Sequence, residues 1–177
     1  KQFLNMFFLY FEQEEILELL ILEIKKLDPD YSNLLSELIT ANNFKGILIL
    51  SREIDLSKIF YIKHLYGSIS TYNEQLLNFL IDEGYFNDET KKTLRREIFK
   101  ININLIKKLG MKLEHVDENI IYDILFDDDI DKLKYIYELG VDNIDDDFNI
   151  ETILERCGTE IVKFILDNNL IKRDRFL

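Results

Sequence analysis

Aspartates crowd into two runs, "DDDID" at 127–131 and "DDD" at 145–147, and these are the side chains with the plainest capacity for chemistry. Clustered carboxylates supply the hard oxygen ligands that calcium takes. A helix-loop-helix calcium site needs Asp-x-Asp-x-Asp-Gly with a Glu at the twelfth place. Counted from Asp145, Ile150 stands where the Gly belongs and Arg156 where the Glu belongs, so the motif fails. The same residues suit loops and helix starts, where an acidic side chain complements the helix dipole. Asp127, Asp128, Asp129, Asp131, Asp145, Asp146 and Asp147 are therefore expected to face solvent or a protein partner with a basic surface. Reversing the charge across Asp127–Asp129 is expected to slow association and to spare the fold.

Other reactive types are scattered. His64, His115 and Cys157 share no metal-ligand spacing such as Cys-x-x-Cys, and each reads as a structural side chain. Neither a Gly-x-Gly-x-x-Gly run nor a phosphate loop ending in Gly-Lys-Ser/Thr is present. No catalytic group, cofactor or metal is expected. The helix "KKTLRREIFK" breaks the general acidity: Lys92, Arg96 and Lys100 lie four apart, beside Lys91 and Arg95, in two positive rows. Those rows would suit an acidic segment of a partner.

The elements that must position these groups are helical throughout. In "EQLLNFLIDEG" the residues Leu76, Leu77, Phe79, Leu80 and Ile81 form one broad face, with Asn78, Asp82 and Glu83 turned away. "ILILS" at 47–51 is the one stretch with strand-like composition, but it lacks alternation. Asp30, Ser57, Asn73, Asp88, Asp117 and Thr159 are expected N-caps. Gly84, Gly110 and Gly140 are expected helix ends.

Those ends recur. "EQLLNFLIDEGYF" (74–86), "IDKLKYIYELGVD" (130–142) and "TEIVKFILDNNLI" (159–171) align without gaps. Leu77, Leu133 and Val162 share a column, as do Phe79, Tyr135 and Phe164; the stops fall at Gly84, Gly140 and Asn169. Weaker copies stop at 53 and 110, giving a period of about 29 residues, the signature of a solenoid. The expected fold is all-α: one domain over 1–177 of stacked helix-turn-helix units at about 1–29, 30–56, 57–87, 88–116, 117–145 and 146–177. The first unit is either a cap or one long helix.

"EIVKFILDNNL" and "KLKYIYELGVD" resemble the second helix of an ankyrin repeat, through Glu160, Ile161, Val162, Lys163, Ile165, Leu166 and Asn169 in one copy. Leu133, Lys134, Ile136, Tyr137, Gly140 and Asp142 carry it in the other. No unit has the Thr-Pro-Leu-His opening of ordinary ankyrin repeats, so the inter-repeat hydrogen bonds of that motif are not expected and short loops should replace β-hairpin fingers. The Ile/Asn/Asp/Lys-rich composition is similar to that of degenerate ankyrin-like arrays of large DNA viruses of protists. The resemblance implies a non-enzymatic protein-binding module, such as a viral host-interaction adaptor.

Composition bounds the same reading. With 47% hydrophobic residues, one Pro and six Gly in 177 residues, the chain has the makings of a core and little linker. A net charge of −12 argues against direct nucleic-acid binding. It leaves two rivals open: an acidic inhibitor that mimics nucleic acid, and an assembly component of a virion or larger complex. A single cysteine gives no internal disulfide, so an intracellular, cytoplasmic setting is the expectation, which for a viral chain means host cytoplasm or virion. The apolar run "FLNMFFLYF" is shorter than the roughly 20 residues a membrane span needs and is expected to be a buried helix. The sequence opens on Lys1 rather than Met, so residues upstream are expected.

Overall fold

The computed structural model describes residues 13–27, 30–144 and 150–171. Among these the chain is all-helical, with eleven α-helices, two 3-10 turns and no strand. The helices are α1 (Glu14–Lys25), α2 (Tyr31–Thr40), α3 (Phe44–Glu53), α4 (Ile62–Thr71), α5 (Glu74–Asp82), α6 (Asp88–Ile98), α7 (Ile103–Leu109), α8 (Glu118–Phe126), α9 (Ile130–Glu138), α10 (Ile150–Arg156) and α11 (Thr159–Asp167). The 3-10 turns are Leu56–Lys58 and Leu113–His115. The apolar run at 3–11 and the Asp145, Asp146 and Asp147 run lie outside the described residues.

Apolar spacing explains the helices. On α5, Leu76, Leu77 and Leu80 are buried while Asp82 is exposed, as the periodicity predicts. The strand-like "ILILS" is part of α3, where Ile47, Ile49 and Leu50 are buried. Gly46 lets α3 come close to α2, because a Cβ there would stand 2.7 Å from Leu38 Cδ2.

Two compact units divide between Thr90 and Lys91. In the first, α2 packs on α3 and on α4, α4 packs on α5, and α1 packs on α3. Within the second, α8 packs on α9, and α9 packs on α11. The sequence neighbours α2 and α3, α4 and α5, and α8 and α9 thus form pairs, and each of these pairs meets a further helix of its own unit.

Turn chemistry sets the helix boundaries. Asp30, Asn73 and Asp117 are N-caps as expected, accepting from the N–H groups of Asn33, Leu76 and Ile120 at 3.0, 3.0 and 3.1 Å. Ser57, Asp88 and Thr159 are not. Asp55 accepts from Ser57 N–H at 3.1 Å, and Asn87 accepts from Thr90 N–H at 2.9 Å, so an Asx oxygen slightly earlier in the chain wins in both places. Gly158 takes the third cap position, because a Cβ there would collide with the Asp128 carboxylate. The stops Gly84, Gly110, Gly140 and Asn169 have φ of 75, 63, 108 and 52°, the left-handed region that Gly enters most cheaply and Asn next. The stop at 53 is of another kind: Ile54 leaves α3 in extended backbone.

Ile136 on α9 and Ile165 on α11 are fully buried in equivalent columns. Ile136→Ala and Ile165→Ala should each cost about 2–5 kcal/mol in chemical denaturation. A near-neutral result at either would contradict this burial.

Candidate functional site

The "DDDID" run folds as the turn between α8 and α9, and its carboxylates have separate tasks. Asp127 is the C-cap of α8 and is exposed. Asp128 sits in the left-handed region at φ 56°, and its Oδ1 accepts from Gly158 N–H, thirty residues on, at 2.7 Å. Asp129 caps α9 by accepting from Lys132 N–H at 3.1 Å, and its other oxygen pairs with Lys132 Nζ at 2.9 Å. Asp131 lies exposed in the first turn of α9. Charge reversal across the whole run would therefore remove a cap and a turn-to-turn bond. The expectation that it spares the fold is corrected for Asp128 and Asp129, because backbone N–H groups need those oxygens.

The basic rows of α6 are largely turned inward on α8. Arg96 forks onto Asp123 of α8 at 2.8 and 3.1 Å, and Arg95 Nε donates to Asp117 Oδ2 at 2.7 Å. Lys100, in the turn after α6, pairs with Glu97 of that helix at 2.9 Å. Lys92 is exposed; its carbonyl accepts from Arg95 Nη1 at 3.0 Å, and its ammonium has no ion pair among the described residues. Burial works to raise the Asp117 carboxyl, but the Arg95 hydrogen bond and charge, with the N–H groups of Ile120 and Asn119, hold it below the usual carboxylate range. Arg96, Lys100, Asp123, Asp127, Asp129 and Lys132 all line one cleft of about 10 Å³, room for a single water. The acidic run and the basic row thus line one cleft, but each pairs elsewhere, Arg96 with Asp123, Lys100 with Glu97 and Asp129 with Lys132.

The two histidines are buried and do the same local job. His64 Nδ1 accepts from Tyr61 N–H at 2.9 Å, and His115 Nδ1 accepts from Lys112 N–H at 3.0 Å, each closing the first turn of its helical segment. With Nδ1 accepting, His64 Nε2 carries the proton, and it donates to Ser32 O at 3.0 Å, tying α4 to α2. This is an inter-pair bond of the sort that the missing Thr-Pro-Leu-His motif left unexpected. Burial first, with the Lys63 charge, lowers the His64 pKa despite the Ser32 carbonyl. Cys157 is half-buried, and burial, then the Asp128 charge, push its thiol pKa up, away from the nucleophilic thiolate. Among the described residues no three His, Cys, Asp or Glu side chains stand together to share an ion, and no helix is long and apolar enough to cross a membrane.

Sequence reasoning overlooked Tyr122. It is 46% exposed on α8, with its ring 4.2 Å from that of Phe126 one turn on. The signal available was an aromatic residue at the polar margin of "ENIIYDILF". No family model, curated protein or solved structure matches the chain.

Two tests follow from this geometry. Asp128→Asn should be close to neutral in stability, since Asn keeps both the left-handed turn and an acceptor for Gly158. Asp128→Gly should cost about 1 kcal/mol through the lost hydrogen bond, and Asp128→Ala roughly 1–2 kcal/mol more through backbone strain. Denaturation midpoints in any other order would remove this account of the turn. For His64, a folded pKa below the ordinary value near 6.5 means that the unfolded chain takes the proton first. Its contribution is full above pH 6.5 and is lost as pH falls towards the folded pKa. Urea titrations should show a drop in stability from pH 7.5 to 5.5 that His64→Gln reduces; an unchanged pH dependence in that variant would count against the role.

Proposed function

We propose that the helix pairs stack as a solenoid of degenerate ankyrin-like repeats, and that the chain is a non-enzymatic module that captures another protein through a basic surface. In keeping with the viral resemblance, the setting proposed is that of a host-interaction adaptor. Three structural features support the stacking: the pairwise packing, the recurrent left-handed helix ends, and the bond from His64 to the preceding pair.

The observation that carries the binding reading is the exposed Tyr122 ring. Tyr122 and Phe126 lie one turn apart on α8, so their rings, 4.2 Å apart and tilted by 43°, share a helix face. The exposed carboxylates of Asp127 and Asp128 follow at the end of that helix. A large aromatic surface with an acidic edge is the arrangement that anchors a protein partner and steers a basic one. Structural demands account for Asp128, Asp129, Arg96 and Lys100, so of the described residues picked from the sequence Asp127, Asp131 and Lys92 are the ones most available to a partner.

Pull-down with the intact chain, followed by identification of what is retained, supplies the partner. Against it, Tyr122→Ala should weaken binding by about 1–2 kcal/mol with an unchanged circular dichroism spectrum. Asp127→Lys should chiefly slow association. Wild-type affinity and on-rate in both variants would take this face out of the interface.

A further inference from the structure

A groove of about 350 Å³ opens in the first unit, where the residues that end α3 and α5 meet the loops after them. The reading above makes no use of it. Its volume falls at the small end of ligand clefts, of order 300–1,000 Å³. Ser51 near the end of α3, Asp55 just after it, Phe79 on α5, Glu83 at the α5 C-cap and Tyr85 beyond it all contribute to the lining.

Its features agree in sign. Both α3 and α5 end here, and a helix C-terminus carries roughly half a negative charge. Asp55 and Glu83 add two carboxylates, and aromatic rings such as those of Phe79 and Tyr85 attract cations over their faces. The Tyr85 hydroxyl registers the surroundings: burial first, then the charges of Glu83 and Asp55, push its pKa up.

Nearby cations leave the groove unfilled. Lys58 Nζ is 3.5 Å from Asp55 Oδ2, but its side chain is 78% exposed, so the pair is weak. Arg52 turns to Glu14 and Glu18 at 2.6 and 3.6 Å, and Lys25 pairs with Glu53 at 2.6 Å. The Glu83 carboxylate has no hydrogen bond or ion pair among the described residues.

We propose that this groove receives one cationic side chain, a lysine ammonium or an arginine guanidinium, from a partner protein. The proposal rests on the protein-binding reading only for the source of that side chain. The ammonium or guanidinium sits between Glu83 and Asp55 with its stem along the aromatic rings.

The test is nuclear magnetic resonance of the isotope-labelled full chain, titrated with Nα-acetyl-lysine methylamide, the arginine analogue, and the glutamate analogue as a control of sign. Saturable shifts confined to residues 51–56 and 79–85 are expected with lysine or arginine, and none with glutamate. The stronger of the two ligands identifies the preferred head group. Glu83→Gln, at an exposed position, should weaken binding by roughly three- to tenfold. Shifts that spread over the acidic surface without saturating, that appear equally with glutamate, or that survive Glu83→Gln unchanged would overturn the proposal. Failure here with successful capture of a basic partner sinks the groove alone; a saturable groove in a chain that captures no protein sinks the wider reading instead.

Discussion

The left-handed residue and Asx cap that join two helices of a pair govern much else in this structure. Asn42, Tyr72 and Asp128 have φ of 57, 49 and 56°, and each is followed at once by an N-cap: Asn43, Asn73 and Asp129. A left-handed residue other than glycine costs about 1–2 kcal/mol, least for Asn and Asp. The cost is offset beyond the turn itself. Asn73 Nδ2 donates to Asn42 Oδ1 at 2.6 Å, and Gly158 N–H donates to Asp128 Oδ1 at 2.7 Å. In each unit, then, the side chain that tolerates the tight turn also reaches the cap of the next second helix. One residue closes a pair and registers it against its neighbour.

Glycines made three of the helix ends legible in advance. Gly84, Gly110 and Gly140 advertise left-handed backbone because they lack a Cβ, and Asn169 could be placed by alignment with them. The turns before the second helices were not legible, since Asn42, Tyr72 and Asp128 are left-handed only because the paired helices require it. His64 was read as a structural side chain, but its two bonds could not be placed. Its role depends only on a place three residues into a helix and on two ring nitrogens facing two backbone groups. Helix content and buried columns were readable from periodicity. Which oxygen satisfies which N–H was not, because that depends on backbone angles that composition does not encode.

Charge shows the same divide between pattern and place. As a string, "DDDID" is a block of negative potential, and "KKTLRREIFK" a block of positive. In the fold, Arg95 and Arg96 hold α8 through Asp117 and Asp123, and Asp128 and Asp129 serve backbone N–H groups. Exposed ion pairs contribute little each, about 0–1 kcal/mol, but a bidentate Arg96–Asp123 fork also fixes orientation. Acidity that looked like a docking signal is therefore partly the chemistry of short turns.

What is left after these structural uses is the more informative remainder. Tyr122 leaves 46% of its surface exposed beside Phe126, and Glu83 is a carboxylate that no described side chain answers. Burying the exposed part of Tyr122 against a partner would gain its apolar area, at about 25 cal/mol per Å². Recruiting Asp128 or Arg96 instead would forfeit a bond already made within the chain. A surface for capture is cheapest where a partner need not displace a bond already made within the chain, and on that criterion Asp127 and Asp131 outrank Asp128 and Asp129 within the acidic run.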